Sequence, residues 1–395
     1  MTANGADRGN LDSDLRARQV SRVGALPASQ WDALFPPDYP FTRQAFLKAL
    51  EEHGCVAPRT GWEPCHLVLE DAAGVPRAAM PLYRKRHSWG EFVFDFGWAR
   101  AAQQLRLPYY PKLVCAIPFT PVSGPRFGAR DEPARAALLE AAARIWMTSG
   151  ASSAHALFLN DADAQAAERA GWLPRHDLQF QWQRRGADSF EAFLAQLSHD
   201  KRKKIRRERR QVAEAGIRFE WRRGDELNEA QWQRVFGLYA NTYEERGQPP
   251  YLTPEFFLDY GRRRDTPLRL VLGYDGSTEP MAVAITFAAG DTLYGRHWGC
   301  AEKYRGLHFE TCYYQGIEMC FAEGLSRFDA GTQGPHKLAR GFEPALTRSA
   351  HRLADPRLSE AVAAFLAEER AEIAQSLGQL AGHSAYRSEV SGHDG

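Results

Sequence analysis

The sequence predicts a mixed α/β protein made of two similar units in tandem. Its 395 residues give room for two domains. Segments with helical periodicity alternate with short apolar segments that are bounded by turn residues, which predicts helices mixed with strands. The stretch LVLEDAAGVPRAAMPLY…SWGEFVFDFGWA, from Leu67, also matches LVLGYDGSTEPMAVAITF…AGDTLYGRHWGCA, from Leu270, in strand length and turn position. We interpret this match as an internal duplication, and the alternative is convergence of two generic three-stranded meanders.

The first unit is predicted over residues 29–186, after a disordered polar tail at residues 1–28. Gly54 ends the first helix, and Gly74 and the Ser88–Gly90 turn divide the strands of the meander. The predicted order is helix, meander, helix, strand, helix and strand, over residues 42–54, 66–98, 133–150, 155–160, 161–170 and 178–185.

The second unit is predicted over residues 187–355 and repeats much of this order. It begins with one long helix, whose segment 198–215 is strongly basic. A helical segment at 356–382 and a tail at 383–395 follow the unit. The predicted elements of the second unit are helix 189–216, strand 217–223, helices 228–247 and 253–264, meander 268–300, helix 308–324 and strand 326–331.

Charge is concentrated in one place. Lys and Arg total 50 against 49 Asp and Glu, yet Lys201–Arg210 alone holds eight basic residues and one acidic residue. This balance argues against a generally basic nucleic-acid coat protein. Three interpretations stay open: a solvated face paired with acidic residues elsewhere, a helix that binds the phosphates of tRNA, a nucleotide-linked precursor or CoA, and a patch that faces anionic lipid. Lys203, Arg206 and Arg207 are the candidate phosphate contacts.

The remaining composition predicts a cytoplasmic protein. The N-terminal residues lack the apolar region of a secretory signal, and no apolar run is long enough to span a membrane. The six cysteines are scattered without a C-x-x-C pair or zinc-ligand spacing, so we expect reduced thiols and no metal site. The sequence does not indicate an oligomeric state.

Several long motifs resemble one family when they are taken in order. They are FTRQAFLKALEEHGCVAPRTGW, YYPKLVCAIPFTPVSGPR, KRKKIRRERRQVAEAGI, LYGRHWGCAEKYRGLHFETCYYQGIEMC and GTQGPHKLARGFEPALTRSAHRLADPR. Together they resemble the bacterial N-acyltransferases that are grouped as GNAT-like or FemAB-like, under a peptidoglycan biosynthesis or recognition label. The resemblance runs from about Asp38 to Arg357.

This resemblance implies two GNAT-type acyl-CoA N-acyltransferase folds in tandem, with mixed and largely antiparallel sheets. Fem-type relatives move an amino acid from aminoacyl-tRNA to an amine of a peptidoglycan precursor, and other GNAT relatives use acyl-CoA. We therefore expect acyl-CoA or aminoacyl-tRNA as a co-substrate, no permanently bound cofactor, and a small-molecule or peptidyl amine as acceptor. A tRNA is a possible partner.

In GNAT-type folds the donor enters between two strands that splay apart, and the next helix offers its N-terminus to the donor's phosphates. The equivalent turn here holds Tyr304, Arg305 and Gly306 and leads to Phe309. It departs from the usual acyl-CoA loop, because only one of the two spaced glycines is present. This difference leaves room for another donor, or for none.

Acyl transfer to an amine needs a proton acceptor and stabilisation of an oxyanion. The candidates are Glu310 or His308 as the preferred base, with His297 and Asp329 as further catalytic candidates. Asp329 fits a structural hydrogen-bond acceptor better than a catalyst. Donor or acceptor contacts are expected from Tyr313 and from the glycine-flanked loop residues Gln333, His336 and Lys337.

Two functions follow from these observations. The leading hypothesis is an N-acyltransferase that transfers its group directly, without a covalent enzyme intermediate. The alternative is a non-catalytic protein of the same fold that recognises a peptidoglycan precursor or another amine-bearing ligand.

Overall fold

A computed structural model describes residues 15–332, 334–382 and 384–387, and it has the mixed α/β fold that the sequence predicts. The strands are β1 Arg16–Val20, β2 Trp62–Pro64, β3 His66–Glu70, β4 Pro76–Met80, β5 Leu82–Lys85, β6 Lys112–Cys115, β7 Gly128–Ala129, β8 Ser153–Leu159, β9 Leu173–Gln183, β10 Arg218–Arg223, β11 Leu268–Tyr274, β12 Ala282–Ala289, β13 Thr292–Cys300, β14 Arg327–Asp329 and β15 Glu343–Leu353.

The helices lie between these strands and pack on the sheets. They are α1 Ala28–Asp32, α2 Gln44–Glu52, α3 Phe96–Gln104, α4 Glu132–Thr148, α5 Asp161–Arg169, α6 Phe190–Gln196, α7 His199–Glu214, α8 Glu229–Glu244, α9 Pro254–Gly261, α10 Leu307–Phe309, α11 Gln315–Glu323 and α12 Pro356–Ala381. A π-helical turn, Glu310–Tyr314, joins α10 to α11, so residues 307–323 form one helix with a wide turn near its start.

Eleven of the described strands form one sheet, in the order β10-β11-β12-β13-β14-β9-β15-β8-β6-β5-β2. A smaller sheet has the order β1-β3-β4-β7. In each half a helix separates two parallel neighbours, α4 between β6 and β8 and α11 between β13 and β14. This strand–helix–strand arrangement, present twice, is the GNAT-type pattern that the resemblance implies.

The two halves exchange their last strands. β9, from the first half, pairs with β14 and β15, which both belong to the second half. β15 in turn pairs with β8 of the first half. The large sheet therefore runs through both halves, which the prediction of two consecutive units did not include.

The predicted tail is ordered from residue 15 onward. β1 pairs with β3 from Arg16 opposite Glu70 to Val20 opposite His66, and Val23 and Leu26 are buried. The prediction of a tail through residue 28 is therefore wrong over residues 15–28, because backbone pairing and these apolar side chains fix the segment. Residues 1–14 lie outside the described part of the chain.

Two further predictions need correction. The long helix predicted over 189–216 is two helices, because Leu197 and Ser198 leave helical geometry. Both residues pair instead with the C-terminal segment: Leu197 forms a β-bridge with Tyr386, and the Ser198 N–H donates to the Ala385 carbonyl. The third strand of the first meander, predicted within 91–98, is a loop that enters α3, and β6 takes the place of that strand.

The C-terminal helical segment predicted at 356–382 is α12, and its buried face carries Leu358, Val362 and Leu366. It packs against β9, β15 and α3. Within the described residues, we find no helix with the length and apolar character needed to cross a membrane.

Candidate active site

Strands β13 and β14 separate after three paired positions. Their parallel pairing runs from Thr292 opposite Arg327 to Tyr294 opposite Asp329. β14 ends there, whereas β13 continues to Cys300 with β12 as its partner. The second half therefore has the parted strand pair that the resemblance predicts.

A β-bulge lies where the two strands part. β12 pairs Ile285 with His297 but Thr286 with Gly295, so Arg296 has no partner on β12. An extra residue of this kind bends its strand and redirects side chains. The bulge turns β13 at the edge of the gap and places Arg296 there.

Arg296 connects the two halves across the gap. Its guanidinium donates a hydrogen bond to the carbonyl oxygen of Phe119, from the first half. Burial lowers the pKa of Arg296, and the nearby Asp329 carboxylate partly opposes this shift. Among the described residues Arg296 has no ion-pair partner, so most of its N–H groups are free to bind an oxygen that carries negative charge.

The gap opens into a cleft of about 440 Å³ between the halves. The first half supplies residues 88–96 and the segment after β6. The second half supplies α8, β12, β13, the π-helical turn and the loop after β14. The wall is rich in aromatic side chains, namely Trp89, Phe92, Phe94, Phe96, Phe119, Tyr239, Tyr243, Tyr251, Trp298 and Tyr313.

Two predicted histidines lie in this wall. His297 packs edge-on against Tyr239, with ring centroids 4.9 Å apart, and burial beside Arg296 holds its pKa well below the usual range. His308 packs against Tyr313, and burial lowers the pKa of His308 to about 4. Both rings are therefore neutral at pH 7, and each can accept a proton from a ligand.

Glu310 does not face the cleft, which corrects its prediction as the preferred base. Its carboxylate accepts hydrogen bonds from Arg209, at 3.2 Å, and from the Gln315 amide, at 2.8 Å. These partners lie in a separate groove that also includes Trp221, on the other side of the helix from His308. Burial raises the pKa of Glu310, and its ion pair with Arg209 opposes that shift.

Asp329 and Lys337 hold the loop that follows β14. Asp329 accepts hydrogen bonds from the Gly331 N–H, at 2.9 Å, and from the Gln181 amide, at 3.3 Å. Lys337 Nζ donates to the carbonyl oxygens of Gly331, at 2.6 Å, and Ala330, at 3.2 Å. Burial lowers the pKa of Lys337 to about 8. Both side chains shape the loop, and neither points a free group into the cleft.

His336 and Tyr313 lie together at the cleft wall. The Tyr313 hydroxyl and His336 Nε2 are 3.0 Å apart, within hydrogen-bond distance. Burial raises the pKa of Tyr313 and lowers that of His336. The predicted contact Gln333 lies outside the described residues.

The predicted donor entrance lies against the basic helix α7. Gly306 has a left-handed backbone, with φ +86°, and a Cβ at this position would lie 3.3 Å from the Glu208 carbonyl oxygen. Arg305 is exposed and has no hydrogen-bond or ion-pair partner among the described side chains. Tyr304 donates to Glu302 at the surface. The turn therefore places the unpaired cation of Arg305 beside α7, and its backbone at Gly306 packs closely against the backbone of α7.

The acidic residue of the basic stretch anchors α7. Glu208 is buried and accepts from Arg340 Nη2, at 2.8 Å, and from the Tyr314 hydroxyl. Arg340 also covers the Phe309 ring, 3.4 Å from its centroid. This network makes Tyr314 and Phe309 parts of the helix packing, and it fixes α7 beside the entrance to the cleft.

Most of the basic side chains on α7 are free. Arg206 pairs with Glu191 at 2.6 Å, and Arg209 is occupied by Glu310 and Glu318. The other six have no ion pair or hydrogen bond to the described side chains. These six are Lys201, Arg202, Lys203, Lys204, Arg207 and Arg210. Of the three predicted phosphate contacts, Lys203 and Arg207 are thus available and Arg206 is not.

The sequence did not indicate Arg296 as a site residue, nor the residues of the first half that line the cleft. Arg296 adjoins the predicted His297 in YGRHWGC, but a bulge has no distinct sequence signal. The aromatic run in HSWGEFVFDF was visible, and its alternation was interpreted as a strand. Among the described residues, no group of three or more His, Cys, Asp or Glu side chains is arranged to hold a metal ion.

A family model described as FemAB-like, peptidoglycan biosynthesis or recognition, matches residues 22–388. A search of curated proteins gave no significant match. Among solved structures, FemX is similar with a TM-score of 0.52 and 13% sequence identity, and the match covers 86% of this chain and 98% of FemX.

A second solved structure is the C-terminal domain of a protein described as a lysylphosphatidylglycerol synthetase, from Agrobacterium fabrum. It has a TM-score of 0.50 and 10% identity, with 87% of this chain and 95% of that domain covered. At these identities, both structures support a shared fold.

Proposed function

Because the chain belongs to the FemAB-like family, we propose that it is an N-acyltransferase. It moves an acyl or aminoacyl group from a thioester or an aminoacyl-tRNA directly to an amine, in cell-wall precursor metabolism. The observation that carries this proposal is the aromatic cleft at the parted strand pair, with Arg296, His297 and His308 in its wall.

The donor side of the cleft is the one next to α7. Arg305 and the free cations Lys203 and Arg207 lie on the two elements that flank the entrance, so the donor's phosphates bind there and its carbonyl reaches the gap. The missing second glycine of the acyl-CoA loop and the number of free cations favour a donor with many phosphates, and so aminoacyl-tRNA over CoA.

The residues around the gap fit the chemistry of acyl transfer. The neutral amine attacks the carbonyl carbon and forms the new C–N bond, and negative charge develops on the carbonyl oxygen. Arg296 stabilises that charge because it is cationic, half-buried in the cleft wall and already held by the Phe119 carbonyl. His297 or His308 accepts the proton from the amine. The C–O or C–S bond then breaks, and the leaving group takes up a proton.

The alternative is a binding protein that recognises an amine-bearing peptidoglycan precursor without turnover. The two low histidine pKa values are the observation that favours it, because a ring with a pKa of about 4 is a weak base at pH 7.

A matched pair of variants on one helix tests the proposal. His308→Ala removes a cleft side chain, and Glu310→Gln changes a residue on the opposite side of the same turn. With labelled aminoacyl-tRNA or acyl-CoA and a panel of amines, we expect His308→Ala to lower turnover by at least tenfold. Glu310→Gln should stay within about twofold of the wild type. Tight acceptor binding without turnover for any donor would instead establish the binding protein.

The donor side is tested through salt dependence. Lys203→Glu/Arg207→Glu should weaken tRNA binding by at least tenfold and flatten the dependence of log Kd on log salt. Arg206→Glu is the matched control on the same helix, because Arg206 is already paired with Glu191. If the double variant binds tRNA like the wild type, α7 is not the phosphate site.

A further inference from the structure

Exposed large apolar side chains cluster on the first half, beside the cleft. Trp89 is 53% exposed, Phe94 65% and Leu105 38%. Among the seven exposed large apolar side chains of the described residues, these three fall within one stretch of the chain, whereas the others are scattered. Single exposed apolar residues are ordinary, but a contiguous group marks an interaction site.

Buried charges hold these aromatic side chains outward. We call residues 88–96 the strap. Lys112 Nζ, below the strap, donates to Ser88 Oγ and Glu91 Oε2, each at 2.8 Å, and to the Asp95 carboxylate. Lys85 Nζ donates to the Trp89 carbonyl oxygen at 3.0 Å. Every polar side chain of the strap thus points into the protein.

This anchoring makes the exposure of Trp89 and Phe94 a fixed feature of the fold. Glu91 and Asp95 are 4% and 2% exposed, and turning the strap over would leave both charges and Lys112 without partners in the interior. The aromatic side chains therefore cannot fold inward to escape water.

The same surface is cationic. Within residues 86–110 the acidic residues are Glu91 and Asp95, both buried. Arg100 on α3 and Arg106 after it are exposed, and neither has an ion pair or hydrogen bond to a described side chain. Exposed aromatic and aliphatic groups with interspersed arginines are the composition of a surface that enters the headgroup region of an anionic bilayer.

An open groove connects this surface to the cleft. The groove has a volume of about 760 Å³ and is lined by Trp89, Phe96, Leu107 and Tyr110, with Arg100 and Arg106 at its side. Trp89 and Phe96 also line the cleft. An acyl chain that lies in the groove would therefore lead into the cleft wall.

We propose that the strap, α3 and Leu105 form a docking surface for an anionic lipid leaflet, and that the cleft opens beside it. The charge complementarity and the apolar groove favour lipid over a protein partner, which would need an acidic and apolar face of matching shape. The proposal does not depend on acyl transfer, because its test measures binding without a donor or acceptor.

The test is sedimentation of the full-length protein with vesicles of phosphatidylcholine, with and without phosphatidylglycerol. The wild type should bind the anionic vesicles, with affinity falling as salt rises, and bind neutral vesicles at least tenfold more weakly. Trp89→Ser/Phe94→Ser and Arg100→Gln/Arg106→Gln should each lower the affinity for anionic vesicles by at least tenfold. Unchanged thermal unfolding of these surface variants shows that they fold.

Two control variants separate this surface from other ones. Met147→Ser/Phe365→Ser removes exposed apolar groups elsewhere and should leave vesicle binding unchanged. Lys203→Gln/Arg207→Gln neutralises cations on α7 and should also leave most of the binding in place. The proposal is overturned if the wild type does not bind, if the strap variants bind normally, or if the α7 variant alone abolishes binding. It is also overturned if the wild type dimerises through the strap and ignores vesicles.

Discussion

The described residues contain two pairs of parallel strands with the same local geometry, and the spaces beyond the two pairs are filled differently. β6 and β8 pair from Leu113 opposite Ala154 to Cys115 opposite Ala156, and β13 and β14 pair over three positions in the same parallel sense. In both cases the strands then part. The first gap is closed by the protein itself, whereas the second opens into the cleft.

The first gap is filled by the chain that follows β6. Gly124 takes a strand's place beside the end of β8, where its N–H donates to the Phe158 carbonyl at 3.0 Å. Arg126 then occupies the interior and donates to the carbonyl oxygens of Leu157, at 3.0 Å, and Val122, at 2.7 Å.

An arginine lies in each gap, and the two arginines differ in how many of their N–H groups are bonded within the protein. Arg126 also donates to Tyr39 and Pro125, so its guanidinium is almost fully used inside the protein. The guanidinium of Arg296, in the second gap, has one hydrogen-bond partner among the described residues, the main-chain carbonyl of Phe119. Arg126, buried and with satisfied donors, closes its gap, whereas Arg296, half-buried and with free donors, leaves its gap open to a ligand.

The largest expected effect comes from breaking the closed gap. Arg126→Met removes the guanidinium that donates to the Leu157 carbonyl and leaves the Val122 carbonyl with only the Tyr39 hydroxyl, so the free energy of unfolding should fall by about 4 kcal/mol. Urea denaturation measures this change. Arg77→Met, which removes an exposed partner of Asp131, is the control and should cost less than about 1 kcal/mol. A similar small cost for Arg126→Met would mean that the loop closes the gap without it.

The corresponding change in the open gap should spare stability and reduce activity. Arg296→Met removes the charge at the developing oxyanion, so kcat/KM should fall about 100-fold, close to 3 kcal/mol in the transition state. The free energy of unfolding should stay level or rise, because a charge that has one protein partner leaves the interior. A large loss of stability with normal activity in the folded fraction would give Arg296 the same role as Arg126.

One histidine beside each gap should affect a different property as pH changes, stability for His155 and turnover for His308. His155, beside the closed gap, is buried against His351, and burial lowers the pKa of His155 to about 3. Unfolding restores a pKa of about 6.5, so the unfolded chain binds the extra proton between these values and stability falls as pH falls. His155→Gln should reduce that slope by up to about 1.4 kcal/mol per pH unit and leave turnover unchanged. His308→Gln should instead lower turnover at every pH above 5.

The smallest expected effect is at Tyr39, which borders both regions. Its hydroxyl donates to the Val122 carbonyl at 3.0 Å and accepts from Arg126 at 3.2 Å, while its ring packs against Tyr294 of β13. Tyr39→Phe keeps the ring and should lower the free energy of unfolding by about 1 kcal/mol. Turnover should not change. A tenfold loss of turnover would mean that closure of the first gap supports the second.

The sequence predicted the general architecture because that architecture follows from local patterns. Helix periodicity, turn glycines and the repeated meander predict a two-part α/β fold, and the family resemblance adds the parted strand pair before the 307–323 helix. The exchange of β9 and β15 was not predictable, because both strands have the same alternation whichever half they join.

The predicted site residues fall into two groups in the structure, those that lie in the cleft wall and those that do not. His297 and His308 lie in the cleft wall, one on β13 just after the bulge and the other at the start of the 307–323 helix. Glu310 faces away from the cleft, because residues two apart lie on opposite sides of a helix and it follows His308 by two positions. The strap was interpreted as a strand, because no local pattern reveals that Glu91 and Asp95 turn inward to Lys112.

The strand exchange also constrains synthesis of the chain on the ribosome. β8 and β9 emerge early, yet the strand that joins them is β15, which is made only after almost the whole second half. Until then both strands present an unpaired edge to other nascent chains. The protein therefore cannot complete the sheet of its first half until β15 has been synthesised.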